Sequence, residues 1–477
     1  MTSQITRVFG VIVVLFALLI VFTTRWTVID ATKLSNNPRN KLTLFQELKI
    51  KRGRILADDG TVLAQSVPAG SGTWKRTYPT GALFAQAIGY ADLLQGSATG
   101  LELSDGSYTR GLQTGLSSVF GQLTPHRVGD DVHTTLDPKA QQVAVQQLAG
   151  QAGSVVALDP RTGAVKVMYS NPSYDNNAAV STCVAPSCSL LNRATQGRYP
   201  PGSTFKVVTA TAAIDSGAYT PSSTVNGNSP VTISGFPLSN DYNQSWGNVD
   251  LTTALTNSIN TVWAQVAEHI GRPTMTDYMQ RFGFYSKPPL DYPPSVLDVS
   301  RPWTFTNPSR PYPPGSPNED IGRIGIGQGG LQVTPLQMAM VASAVANGGK
   351  LMVPHMTARV VNSTGVIVKT IDPAVYNQVM KPSTAAQLTQ MMRKVVEEGT
   401  GQAAQLGGIS VAGKTGTAQV GTQGSNLTQP WFIGFAPIPN PKIAVAVTVE
   451  RSQGGFGGTV AAPIAKAIIQ TLLAEGY

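Results

Sequence analysis

The sequence predicts an α+β fold: one antiparallel sheet of five strands, flanked by helices and carrying a helical subdomain, preceded by a smaller strand-rich unit and one N-terminal membrane helix. Three observations carry that prediction. An uncharged run lies near the N-terminus. β-rich segments separated by turn signals occur around residues 154–168 and again around 409–449. Helix-like segments with start and stop signals fill the interval between them.

The uncharged run, Val8 to Thr24, spans 17 residues between Arg7 and Arg25, at the lower edge of what crosses a hydrocarbon core of about 30 Å. Phe22-Thr23-Thr24-Arg25-Trp26 offers no small-x-small cleavage site, and Trp26 suits a membrane interface, so residues 1–26 read as a short stub and an anchor; the flanking charges barely settle the orientation, and the cytoplasmic side is given to the stub from the chemistry below. Residues 27–135 mix short apolar stretches with turns such as Asp58-Asp59-Gly60 and Ser104-Asp105-Gly106, which describes a strand-rich stalk. At residue 136 the pattern changes. Asp137 can cap a helix that has Pro138 at its first position and Val143, Val145 and Leu148 on its apolar face.

The first hairpin follows: Ser154 to Leu158, a tight polar turn at Asp159-Pro160-Arg161-Thr162-Gly163, then Ala164 to Met168. Helices are predicted over Ser203 to Ser216 and Asp250 to Ile270. A proline-dense loop runs from Lys287 to Pro317, and a third helix runs from Thr334 to Ala346, with Pro335 at its start and Gly348-Gly349 beyond its end. An extended stretch at Ile409 to Val420 precedes the second hairpin, Gln429 to Ala436 and Ile443 to Val449. Val460 to Ala474 is an apolar-faced helix suited to covering the sheet.

Composition narrows the function. Of 477 residues only 13% are charged, with 48 Gly and 33 Pro, as in a loop-rich globular protein. The net charge of +9 is spread thinly: the densest basic cluster is Lys49, Lys51, Arg52 and Arg54, with no block of five, which argues against nucleic-acid binding. A basic body outside a membrane would be drawn instead to anionic wall polymers or lipid headgroups. The two cysteines, Cys183 and Cys188, have no nearby histidine, so they read as a local disulfide or two free thiols, the first preferred, rather than a metal site.

The segment richest in chemistry is Pro200-Pro201-Gly202-Ser203-Thr204-Phe205-Lys206, where a turn feeds a helix bearing a hydroxyl and, one turn on, an amine. A serine oxygen needs a base, and a lysine serves only when burial or a neighbouring cation lowers its pKa. A capping Ser followed by a solvated Lys is the commoner meaning of such a pair. Ser203 is, however, the only serine with Lys at i+3, and two further segments fit the same chemistry. In Asn257-Ser258-Ile259-Asn260, Ser258 could relay a proton and Asn260 could hold Lys206 or a substrate amide. In Ala412-Gly413-Lys414-Thr415-Gly416-Thr417, a strand offers a cation, two hydroxyls and a glycine to a substrate backbone and carboxylate.

Ser-x-x-Lys, Ser-x-Asn and Lys-Thr-Gly in this order mark penicillin-binding proteins and serine β-lactamases. Beyond its anchor the chain resembles a class B penicillin-binding protein, a peptidoglycan D,D-transpeptidase. Further likeness lies in Arg52-Gly53-Arg54-Ile55, Gly100-Leu101-Glu102, Leu158-Asp159-Pro160, Thr162-Gly163 and Gly325-Ile326-Gly327-Gln328-Gly329. One departure is Ala57-Asp58-Asp59-Gly60, where family members often have Asp-Arg-Asn-Gly.

The resemblance implies a penicillin-binding/serine β-lactamase-like transpeptidase domain at 136–477 and a pedestal or dimerisation-like stalk at 27–135, with the catalytic body outside the cytoplasmic membrane. It implies Ser203 as the acylated residue, Lys206 as its base, Ser258 as proton relay to the departing D-alanine, Asn260 as a member of the catalytic set, and Lys414 as the cation that helps keep Lys206 neutral and attracts the donor's terminal carboxylate. Thr415, Gly416 and Thr417 would bind the donor's carboxylate end, and backbone N–H groups of Ser203 and Thr417 would form the oxyanion hole. Stem peptides and β-lactams are the implied ligands, a membrane glycosyltransferase or wall-synthesis complex the implied partner, and no metal or organic cofactor is implied.

Rival readings are weaker. Gly408 to Thr415 satisfies the phosphate-loop pattern, yet Gly416, Gly421 and Gly424 follow where a helix is required. Gly325 to Gly330 matches a dinucleotide fingerprint without a preceding buried strand, and no acid recurs before Asp372, so this loop reads as a wall of the cleft. No Gly-x-Ser-x-Gly elbow accompanies the four histidines. A D,D-carboxypeptidase, or a catalytically weak scaffold or β-lactam sensor, remains the alternative.

Overall fold

The computed structural model describes residues 2–30, 41–92, 96–112, 128–178, 180–306, 309–421 and 425–477. Helix α1 (Thr2–Thr24) continues through a wider turn at Arg25–Ile29, and residues 3–29 are exposed along their whole length. Ser3–Ile29 is long and apolar enough to cross a membrane, making it a candidate span.

Two six-stranded sheets follow, alongside smaller two-stranded pairs, and are built from β1 (Ile55–Leu56), β2 (Val62–Gly70), β3 (Thr73–Thr77), β4 (Asp131–Thr134), β5 (Gly153–Leu158), β6 (Val165–Asn171), β7 (Thr357–Val361), β8 (Ile367–Thr370), β9 (Ala412–Gln419), β10 (Leu427–Ala436), β11 (Ile443–Val449) and β12 (Ser452–Gln453). The first has the order β8-β7-β4-β1-β2-β3, with β1 and β4 parallel and the other pairs antiparallel. Its β7 and β8 arrive from residues 357–370, far along the chain from the stalk segment. No short-range pattern could announce that pairing, because it joins strands more than 200 residues apart.

The second sheet has the order β9-β10-β11-β5-β6, antiparallel throughout, with β12 beside β10. Its central strands are buried on both faces, which is why they read as unbroken apolar runs. Helix α2 (Pro138–Leu148) and, at the other end of the chain, the helix Ala462–Ala474 cover one face, where Ala140, Ala144, Ile464, Ile468 and Leu472 meet Val155, Ala157, Val445 and Val447. Each such large aliphatic side chain contributes about 1.5–3 kcal/mol on burial. The opposite face, Val156, Leu158, Ala444 and Ala446, packs with the main core that includes α3 (Lys206–Asp215), α4 (Asn260–Arg281) and α5 (Pro335–Ala346).

Local signals behave as their chemistry requires. The Asp137 side chain accepts from Ala140 N at 2.7 Å, and the Thr334 hydroxyl accepts from Gln337 N at 3.2 Å, so both proline-headed helices are capped. The 159–163 turn closes on Asp159, which accepts from Arg161 N at 2.9 Å. Cys183 and Cys188 form a disulfide.

Two helix predictions need correction. Ser203 lies on a 3-10 turn, Gly202–Phe205, and the α-helix proper starts at Lys206. The helix expected over Asp250 to Ile270 is broken: Leu251–Thr256 ends, Ser258 takes a left-handed φ of +59°, and α4 starts at Asn260. A non-glycine residue in that region costs of order 1–3 kcal/mol, so it persists only where surrounding contacts hold it. Those contacts are the site described next.

Candidate active site

The Ser203 turn is pinned from three sides. Tyr199 pairs with Val333 through Tyr199 N to Val333 O at 3.0 Å and the reverse at 2.8 Å. The buried Trp431 donates from Nε1 to Pro200 O at 3.0 Å, fixing the turn to the middle of β10. Gly202 N donates to Gly327 O at 3.1 Å, which seats the Gly325 to Gly329 loop directly against the turn. A Cβ on Gly327 would lie 2.0 Å from Gly202 O, and one on Gly416 would lie 2.7 Å from Pro201 O. Both positions must be glycine for the loop and for β9 to approach the turn this closely.

Lys206, one helical turn past Ser203, is completely buried. Its Nζ donates to Ser258 O at 2.7 Å, Ser258 Oγ at 3.3 Å and Asn260 Oδ1 at 2.6 Å. Lys414, equally buried on β9, donates to Ser258 Oγ at 3.0 Å and to Thr415 O at 2.9 Å. The Ser258 hydroxyl thus stands between the two amines, and the break between the helices is what turns it there. Ser203 itself is partly exposed, and its hydroxyl has no hydrogen bond to any described residue. A free hydroxyl at the mouth, with amines buried behind it, is an arrangement able to attack an incoming carbonyl.

The electrostatics follow from the geometry. All hydrogen-bond partners of the two amines are neutral oxygens, so no opposite charge in contact offsets the loss of water. Burial, and next the charge of Lys414, hold the Lys206 pKa well below the usual lysine range, while Asp241 acts in the opposite sense. Burial also pushes the Lys414 pKa down to about 7, again opposed by Asp241. Lowered in this way, Lys206 gives up its proton more readily than an ordinary lysine and can then accept one, beside a second amine that can carry charge.

Residues 153–470, well over half of the chain, match the penicillin binding protein transpeptidase domain. The chain belongs to that family. Residues 52–123 match the penicillin binding protein A dimerisation domain. The chain is 34% identical to the peptidoglycan D,D-transpeptidase PbpA of Mycolicibacterium smegmatis, over 100% of both chains. It is 31% identical to the peptidoglycan D,D-transpeptidase MrdA of Haemophilus influenzae, over 80% of this chain and 61% of that one. The ceftriaxone acyl-enzyme complex of penicillin-binding protein A from Mycobacterium tuberculosis superposes with a TM-score of 0.79 at 31% identity, covering 90% of this chain and 100% of that one.

Within this penicillin-binding fold the remaining sequence candidates are placed by β9. Thr415 Oγ1 lies 2.6 Å from Thr400 Oγ1 in a buried position. Thr417 Oγ1 accepts from Gly457 N at 3.1 Å, which leaves its own proton free to donate. The apparent phosphate loop, Gly408 to Thr415, ends in a strand rather than a helix start, so it cradles no phosphate. Sequence reasoning missed Thr400, which meets Thr415 only because 256, 400 and β9 converge. It also missed Asp241, which sits in a run of turn-forming residues, Asn240-Asp241-Tyr242-Asn243, that carries no motif. Beside the first sheet, the separately noted Arg52 and Glu102 come together, with Arg76 of β3 as a third member.

Proposed function

We propose that this chain is a peptidoglycan D,D-transpeptidase that works through an acyl-enzyme at Ser203 and binds penicillin covalently. The observation that carries the reading is the Ser258 hydroxyl held between two buried amines, 3.3 Å from Lys206 and 3.0 Å from Lys414, behind the Ser203 turn. Neutral Lys206 takes the proton as Ser203 Oγ bonds to the carbonyl carbon of the penultimate D-alanine of a donor stem peptide. The developing oxyanion is received by backbone N–H groups of Ser203 and Thr417. The amide C–N bond then breaks, and Ser258 passes a proton to the departing D-alanine, replenished from the amines on either side. An amine of a neighbouring stem peptide attacks the ester carbonyl and loses its proton to the same base; the C–Oγ bond then breaks as the base returns that proton to Ser203 Oγ, freeing the serine. Asn260 orients Lys206, while Lys414, Thr415, Gly416 and Thr417 receive the donor's terminal carboxylate end.

On this reading α1 anchors residues 1–26 in the cytoplasmic membrane, the stalk is 27–135 and the transpeptidase domain 136–477, outside the membrane and beside a membrane glycosyltransferase of a wall-synthesis complex. The test is mass spectrometry of the full chain in detergent after incubation with benzylpenicillin, alongside Ser203→Ala. An adduct on the Ser203 peptide, absent from the variant, supports the reading. Transfer to water alone with natural stem peptides would make the enzyme a carboxypeptidase. No adduct on folded protein would leave a scaffold.

A further inference from the structure

Resting on that reading, one residue outside the three motifs reaches into the site. We propose that Asp241 is a positioning residue for the acylation step: it holds the Asn260 amide with its oxygen toward Lys206 and sets a carboxylate one amide away from the buried amines. Asn260 is where the two ends of this chain of contacts meet. Its Oδ1 accepts from Lys206 at 2.6 Å, while its Nδ2 lies 3.4 Å from both Asp241 Oδ1 and Ser239 O. An amide can accept only through oxygen and donate only through nitrogen, so acceptors on the Nδ2 side decide which end Lys206 meets. The 3.4 Å contacts are long, as is common for catalytic hydrogen bonds before substrate closes the site.

The segment bearing Asp241 is built to stay in place. Asn240, buried, donates from Nδ2 to Gly227 O and Gln244 O, both at 2.9 Å, and accepts at Oδ1 from Thr261 N at 2.9 Å. That last bond clamps the segment onto the first turn of α4, the turn that starts with Asn260. Tyr242 and Asn243 then adopt left-handed φ of +57° and +54°. Two successive non-glycine residues in that region describe a backbone held against its own preference, of the kind that gathers at functional sites. Asp241 itself is exposed, so its position beside Asn260 is fixed by this frame rather than by burial.

The charged groups acting on Lys206 are Lys414 and Asp241, and on Lys414, Asp241. The carboxylate favours the protonated form of both amines, so its removal should make both give up their protons at lower pH. The experiment measures the second-order rate of acylation by benzylpenicillin against pH, from about pH 5 to about pH 10, for the full chain and for Asp241→Asn, Asp241→Ala and Asp241→Glu. For Asp241→Asn, which keeps an acceptor but loses the charge, both limbs of the profile should move to lower pH by about half a unit. Asp241→Ala should show the same displacement and a maximum lowered by about tenfold, through loss of Asn260 orientation. Asp241→Glu should restore the limbs.

Superimposable profiles for the full chain and Asp241→Asn would overturn the proposal. So would a uniform loss of rate without displacement, which is the signature of a merely structural role. Failure of the unsubstituted chain to acylate would instead remove the reaction itself, and with it the role given to Asp241.

Discussion

Beside the first sheet, Arg52 and Arg76 are buried against Glu102; in the cleft, Lys206 and Lys414 are buried against oxygens of neutral groups. Arg76 Nε donates to Glu102 Oε1 at 2.6 Å and its Nη1 to Gly53 O at 2.7 Å, while Arg52 lies 3.9 Å from the other carboxylate oxygen. Burial lowers the Arg52 pKa and Glu102 raises it, but a guanidinium begins so high that it keeps its charge. A lysine begins lower and can shed its proton when burial outweighs its partners. The same physical pressure thus yields an ion cluster that holds a fold in one place and a base in the other. The decisive difference is a carboxylate in direct contact.

The contrast is broken most severely at the base. Lys206→Met should reduce benzylpenicillin acylation by about a thousandfold, within the usual range for losing a general base, while the thermal midpoint stays level or rises because a buried amine has been removed. In the wild type, acylation should fall as pH is lowered, since protonated Lys206 can no longer accept from Ser203. Stopped-flow acylation and a melting curve on the same preparation check both halves.

Glu102→Gln strikes the other cluster. It leaves two guanidiniums buried without a counter-charge and should cost about 3–5 kcal/mol, read as a fall in the denaturant midpoint, with acylation per folded molecule unchanged. A large loss of acylation without loss of stability would erase the distinction between the clusters.

Gly416→Ala sharpens the comparison by moving the cleft's geometry rather than its charges. The new methyl would meet Pro201 O and the Thr204 side chain, forcing β9 away from the Ser203 turn, and acylation should drop by about a hundredfold with the fold retained. Circular dichroism and the acylation rate together test this.

The smallest effect belongs to Asp105, which is buried, accepts from the Thr357 hydroxyl at 2.6 Å and has its pKa raised to about 6, chiefly by burial. The folded chain then holds the proton over a window where the unfolded chain has lost it, so this residue's contribution falls as pH rises from about 4 to about 6. Asp105→Asn should therefore gain about 1 kcal/mol at neutral pH and nothing near pH 4, as denaturant midpoints at the two pH values would report.

Much of this molecule was legible in its residues. β-branched runs and the Asp159 turn located β5, β6, β10 and β11, and Asp137-Pro138 and Thr334-Pro335 located two helix starts, because these signals act within a few residues. The order Ser203, Lys206, Ser258, Asn260, Lys414 selected the candidate site, because the chemistry demands those side chains wherever the fold brings them. The local sequence could not supply the break at Ser258, since 250–270 reads as one helix and only Lys206 and Lys414 reward a hydroxyl turned inward. Nor could it supply the joining of 357–370 to the first sheet, the meeting of Arg76 with Glu102, or the reach of Asp241 to Asn260. The sequence by itself determined which groups are present and where the backbone must turn. The tertiary structure decided which groups lose water and which find a counter-charge, because dielectric and proximity are properties of the packed molecule and not of any segment.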